Sequence, residues 1–245
     1  MTDSVEIIGD FKVSRVLVIP DVHLKPWIFD IADRIDKNSY DTIVVLGDLV
    51  DDWGKGNALD VYRQTLDRAV EFGQKHSQSL WCYGNHDVSY LWDAIESGYS
   101  IQARITVVEG ITRLEHVLEN RYKFVHRVDN VLFSHAGVTE KFVFQFCGYH
   151  VKESDDVLAK INQMGKQELW RNSSPIWARP QTDFYRMFRD DFIYQVVGHT
   201  PVKEPFDSGS VLSLDLFSIY SNGTPYGNQK LYIVDTITHR YYEAE

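Results

Sequence analysis

Three short runs, RVLVIP at 15–20, TIVVLG at 42–47 and LWCYG at 80–84, are apolar, rich in β-branched residues and show little alternation. A strand with one face in water alternates polar and apolar residues, whereas a strand covered on both faces does not, so these runs read as central strands of a buried sheet. The segments between them supply the cover. PWIFDIADRIDK opens with Pro26 at a first-turn position, and ALDVYRQTLDRAVEFGQKH places Leu59, Tyr62, Leu66, Ala69 and Val70 on one helical face. Strand, helix, strand, helix, strand is an α/β core with right-handed crossovers.

The second half changes character. YKFVHRVDNVLFSHAG pairs two apolar runs across Asp129 and Asn130, a good hairpin turn. A helical region is expected from about Thr139 to Arg171, followed by IYQVVGHT as another strand entering a turn. VLSLDLF and KLYIVDTITHRYYEA are expected to close the chain as antiparallel strands, with YSNGTPYGNQ as an exposed loop. Two mixed β-sheets facing each other with helices outside accommodate this order. No repeat or linker divides the chain, so one domain is expected over residues 1–245.

Composition limits the partners. The net charge is -10 with 35 acidic against 25 basic residues, and a surface of that sign repels polyphosphate backbones, which disfavours long nucleic acid. The first residues lack the basic start and apolar centre of a signal peptide, and no apolar stretch reaches membrane-spanning length, so no membrane association is expected. Cys82 and Cys147 sit in apolar surroundings and are too few to staple a chain of this size, which fits buried thiols in a reducing cytoplasm.

Five of the apolar runs end in side chains able to bind metal. IPDVH carries Asp21 and His23, LGDLVDD carries Asp48, Asp51 and Asp52, GNHD carries Asn85, His86 and Asp87, FSHAG carries His135, and VGHTP carries His199. Any one of these is ordinary, because an Asp at a strand end commonly caps a turn and a lone His is commonly structural. Five together at strand ends are not a coincidence. Mixed carboxylate and imidazole donors suit manganese, zinc or iron better than calcium or magnesium, and the Asp-x-His spacing lets two side chains on one side of an extended segment hold one ion. A single carboxylate can bridge two ions, which sit roughly 3.5–4 Å apart in sites that hydrolyse phosphate esters.

The ordered series Asp-x-His, Gly-Asp-x-x-Asp, Gly-Asn-His-Asp, His-Ala-Gly and Gly-His-Thr, running from Asp21 to Thr200, resembles the calcineurin-like metallophosphoesterases. It looks most like their serine/threonine-phosphatase and dinucleoside-tetraphosphatase branch. The resemblance implies an α/β fold, an αββα sandwich with a dinuclear site at strand ends, and two divalent ions, manganese first with iron or zinc as alternatives. Asp21 and His23 would hold the first ion, Asp48 both, and Asn85, His135 and His199 the second. His86 would be the catalytic imidazole, oriented by Asp51. The implied reaction is hydrolysis of a phosphate ester by a hydroxide shared between the ions, with His86 protonating the leaving group.

Where many nucleases of this kind have Gly-His-x-His, the last position here is Pro201, which favours the phosphatase arrangement. Two positions depart from the phosphatase pattern: Asp52 stands where an Arg commonly clamps phosphate, and Leu24 where a Gly is common. An acid at 52 is expected to repel a phosphate dianion unless the substrate sits differently or recruits Lys55. WAR at 177–179 resembles a phosphate-gripping segment of bacterial and phage phosphatases, which assigns Arg179 to substrate binding. The substrate is expected to be a phosphorylated small molecule, a nucleotide or a phosphoprotein. The readings kept beside a general phosphatase are a dinucleoside-polyphosphate hydrolase, a protein serine/threonine phosphatase and a non-catalytic binding protein on the same fold. Trp27, Trp53 and Trp177 lie near the site loops and could stack a base.

Overall fold

A computed structural model describes residues 14–148, 154–183, 185–188 and 193–245. The elements in chain order are β1 (Arg15–Ile19), α1 (Trp27–Ala32), β2 (Thr42–Val45), α2 (Leu59–Lys75), β3 (Leu80–Cys82), α3 (Asn85–Leu91) and α4 (Arg104–Leu118). They continue with β4 (Tyr122–Lys123), β5 (Val125–Val128), β6 (Val131–Ser134), α5 (Glu140–Phe142), α6 (Ser154–Ile161) and α7 (Lys166–Leu169). The last five are β7 (Tyr194–Val197), β8 (Phe206–Asp207), β9 (Val211–Ser213), β10 (Tyr232–Asp235) and β11 (Tyr241–Glu243).

Two mixed sheets result. The first has the order β11-β10-β1-β2-β3-β4, with β1 to β4 parallel and the C-terminal β10 and β11 added antiparallel at one side. The second has the order β5-β6-β7-β9-β8, with β6, β7 and β9 parallel between antiparallel edges. Alternation along the strands distributes side chains between layers. Val131 and Phe133 of β6 join Tyr194, Val196 and Leu212 in one core with β1 to β3 and helices α1, α2 and α4, while Leu132 of β6 joins a second core under α5, α6 and α7. The order of layers is therefore helices, sheet, sheet, helices: the expected αββα sandwich.

The early α/β units form as the sequence indicates. On α2 the buried residues Tyr62, Thr65, Leu66, Ala69, Phe72 and Gly73 recur with helical period, and α1 is fastened to it where Asp33 accepts from Arg68 (2.7 Å) and lies 2.8 Å from the Lys75 ammonium. Other expectations change. The helix opening at Pro26 ends at Ala32, well short of residue 37. The YKFVHRV run divides: Tyr122 and Lys123 pair with β3, whereas Val125–Val128 cross into the second sheet, where they form the expected hairpin with β6. The expected long helix after Thr139 is three short helices among the described residues, with a π turn at Val143–Cys147 that ends on Gly148 at φ 96°. Within VLSLDLF only Val211–Ser213 is strand, and it runs parallel to β7 and antiparallel to β8. Cys82 and Cys147 are both buried. Among the described residues no helix is long and apolar enough to cross a membrane.

Candidate metal centre

Parallel strands share a C-terminal edge, and a ligand crevice forms there because the connecting loops diverge. The loops after β1, β2, β3, β6 and β7 all leave at that edge, which brings residues from five parts of the sequence together. The first two loops run as one unit. The Val22 and His23 amides donate to the Asp48 carbonyl (3.0 and 2.8 Å), and the Leu24 amide donates to the Leu49 carbonyl (3.0 Å).

Asp87, in the first turn of α3, supplies a third brace. Its carboxylate accepts from the backbone amides of Gly84 (2.9 Å), Asp48 (2.9 Å) and Leu49 (2.8 Å). Two glycines of the motifs have a steric origin: a Cβ on Gly84 would overlap the Asp48 carboxylate, and one on Gly198 would overlap that of Asp21. His23, Asp48, Asp51 and His199 adopt left-handed backbone with φ of 43°, 48°, 65° and 65°. Such non-glycine conformations cost about 1–3 kcal/mol each and persist only where surrounding bonds impose them. Asp87→Asn places an amide N–H2 against at least one backbone N–H. We expect it to lower stability by about 1–3 kcal/mol and to weaken metal binding; an unchanged urea midpoint would contradict this bracing role.

The imidazoles are oriented by carbonyls, which can only accept. His23 Nδ1 lies 2.9 Å from the Asp51 carbonyl and 3.2 Å from that of Val50, so the hydrogen is on Nδ1 and the lone pair on Nε2. That Nε2 is 3.6 Å from Asp48 Oδ2 and 3.8 Å from Asp21 Oδ2. His135 Nδ1 is 2.9 Å from the Leu46 carbonyl, and its Nε2 faces Asn85 Oδ1 at 2.9 Å, His199 Nδ1 at 3.1 Å and Asp48 Oδ2 at 3.3 Å. The Asn85 amide nitrogen donates to Glu96 Oε2 (2.9 Å), which turns its oxygen inward. All six residues expected as ligands thus converge. Asp21, His23 and Asp48 form one group and Asp48, His135 and His199 another, with the donor atoms of each within 4.8 Å of one another and Asp48 common to both.

This donor set fits divalent cations. Lone pairs and carboxylate or amide oxygens face one another, and His199 Nε2 is buried with no hydrogen-bond partner among the described residues. The crowding also appears in the acids. Burial, reinforced by Asp215, holds Asp21 well above the usual carboxylate range. Burial and the Asp48 charge push Asp87 up to about 7, and the same two influences take Glu96 to about 7. Asp48 is the exception, since the charges of His135 and His86 outweigh its burial and hold it far below the usual value. Acids packed this closely in a dry site need positive charge beside them.

His86 stands apart from both groups. Its Nδ1 is 2.9 Å from Asp51 Oδ2, and the other Asp51 oxygen accepts from the buried hydroxyls of Tyr62 (2.7 Å) and Tyr90 (2.5 Å). Burial works to lower the His86 pKa, but Asp48, the bond to Asp51 and nearby Glu96 outweigh it and raise the imidazole to about 10. Cations at the adjacent groups would oppose that rise. His86 Nε2 is left as the nitrogen available for proton transfer.

The calcineurin-like phosphoesterase family matches residues 14–203. This chain belongs to that family. It is therefore a metal-dependent phosphoesterase, a hydrolase of phosphate ester bonds. A protein serine/threonine phosphatase from Saccharomyces cerevisiae is similar in fold, with TM-score 0.56 and 12% identity over 95% of this chain and 80% of that one. A cold-active protein tyrosine phosphatase is similar at TM-score 0.52 and 15% identity over 94% of this chain and 78% of that one. No curated protein matches the chain in sequence.

The phosphoesterase centre opens into a cleft of about 630 Å³ lined by His23, His86 and His199 and by Arg179. The Arg179 guanidinium donates to Thr200 Oγ1 (3.1 Å), which steadies it beside His199. Of the three tryptophans, Trp53 lines the cleft and is 71% exposed. Trp27 packs edge-on against Phe217 and Trp177 edge-on against His199, so both have packing roles. Asp52 is not a lone acid: its carboxylate is 2.9 Å from Lys55 and 3.4 Å from Lys25, both ammonium groups that offset its charge. Asp215, Tyr62, Tyr90 and Glu96 join the site from outside the motifs. Asp215 lies two residues past the end of β9, the same strand-end signal that marked the other acids, whereas the tyrosines carry only the pattern of core residues.

Proposed function

We propose that this phosphoesterase is a phosphatase with a dinuclear centre, in which Asp21 and His23 hold one divalent ion, Asn85, His135 and His199 the other, and Asp48 both. The observation that carries this reading is the single Asp48 carboxylate common to two groups of ligand atoms. Manganese is the first choice, with zinc and iron suited to the same mixture of oxygen and nitrogen donors. The phosphatase names of the two proteins of similar fold support the substrate class, a phosphorylated small molecule, nucleotide or protein.

When bound, such ions lower the pKa of coordinated water and neutralise charge on phosphoryl oxygens. The chain's own residues do the rest. Arg179, which lines the cleft with His86 and His199, holds phosphoryl oxygens in its planar fork. His86 protonates the leaving-group oxygen from Nε2, so that an alcohol departs and not an alkoxide. Asp51 fixes the ring through Nδ1, and Tyr62 and Tyr90 hold Asp51 in place so that it cannot turn away. Asp87 keeps the two ligand loops in register through three backbone amides.

Hydrolysis of p-nitrophenyl phosphate tests this proposal. Activity should be absent after chelation, return with manganese, and depend on two ions per chain. Full activity in the chelated protein, or saturation at one ion, would refute the dinuclear reading.

A further inference from the structure

We infer that Lys25, held in place by Asp52, is a phosphate-gripping residue of this site; this rests on the phosphatase reading above. Asp52, in the loop after β2, sits between two ammonium groups: Lys55 of its own loop at 2.9 Å and Lys25 at 3.4 Å. The structure brings the second in from the loop after β1. Lys25 is 4% exposed, yet it lines the same cleft as His86, His199 and Arg179. Its ammonium donates to the His23 carbonyl at 3.0 Å and lies 3.4 Å from Asp52 Oδ2. An ammonium has three N–H donors, so two fixed partners leave one for an anion in the cleft.

The charges around Lys25 agree with this role. The Asp52 side chain is 4% exposed and accepts from Lys55 (2.9 Å) and from the Trp53 amide (2.8 Å) as well as facing Lys25. One carboxylate between two lysines leaves that trio by itself with one net positive charge. The opposing group is Asp215, which also lines the cleft; Ser218 donates to its carboxylate at 3.0 Å. The acid at 52 therefore serves as an anchor. Lys25 belongs to the loop that carries the proposed first-ion ligands, is tied to the His23 carbonyl, and lines the same cleft as His23. Arg179 reaches the cleft from a different part of the chain, which gives the phosphate two cations of independent origin.

Lys25→Met leaves Asp52 with Lys55 as its one ammonium partner, whereas replacing both partners of a buried pair with apolar residues is frequently neutral for stability. Lys25→Met and the double variant Lys25→Met/Asp52→Leu should therefore be compared with wild type, all as full-length, manganese-loaded protein. The measurements are metal content, calorimetric affinity for inorganic phosphate, and KM and kcat for p-nitrophenyl phosphate. We expect phosphate affinity to fall about 10–100-fold in both variants, with KM rising more than kcat falls and metal content unchanged. Lys25→Arg should recover most of the affinity. If Lys25 serves only to neutralise Asp52, the double variant will bind phosphate as wild type does, and the inference is overturned. Should Lys25→Met fail to fold, the double variant decides alone. A wild-type protein without manganese-dependent turnover would instead count against the proposed function, so the two failures are distinguishable.

Discussion

Asp48→Asn should lower turnover by about 10³-fold or more, taking several kcal/mol of transition-state stabilisation at 1.36 kcal/mol per factor of ten, and it should remove both ions together. Asp48 Oδ1 is committed to the His86 backbone amide at 2.9 Å, while Oδ2 faces His23 Nε2 at 3.6 Å and His135 Nε2 at 3.3 Å. An asparagine that keeps the first bond turns an N–H2 toward the imidazoles, so it presents a donor where both groups need an acceptor. Substituting a residue of one group alone, such as His23, should spare the other ion. Metal content after gel filtration distinguishes the cases. Retention of one ion by Asp48→Asn would mean that the two groups do not share this carboxylate.

His86→Ala should lower kcat by roughly 10²–10⁴-fold, the usual worth of a positioned general acid, with metal content left intact. The imidazole belongs to neither ligand group, and its removal leaves Tyr62 and Tyr90 still bonded to Asp51. The loss should depend on the leaving group. A p-nitrophenolate departs readily without a proton, whereas an alkoxide needs one, so an alkyl phosphate should suffer far more than p-nitrophenyl phosphate. Equal losses on both substrates, or loss of metal in step with activity, would contradict the proton-donor role.

The parts of this architecture that the sequence reveals are those in which one local pattern has one structural solution. β1, β2 and β3 are covered on both faces, so they lose alternation and stand out as apolar runs. The ligands follow because each comes directly after such a run, where a polar residue is conspicuous. Helix α4 is hard to read in the sequence, because Ile105, Thr106, Val107, Val108, Ile111 and Thr112 are β-branched and obscure the helical period that Val107, Ile111 and Leu114 carry into the core. The division of residues 122–128 between two sheets has no local marker, since both pieces are apolar and extended. The partnership of Lys25 with Asp52 and that of Tyr62 and Tyr90 with Asp51 are products of the fold: each residue looks ordinary in its own segment, and only packing brings it to a carboxylate.

Anomalous diffraction from crystals of the manganese-loaded protein would locate the ions relative to Asp48. Two peaks per chain are expected on either side of the Asp48 carboxylate, one beside Asp21 and His23 and the other beside Asn85, His135 and His199. A single peak, or a pair that does not have Asp48 between them, would contradict that arrangement.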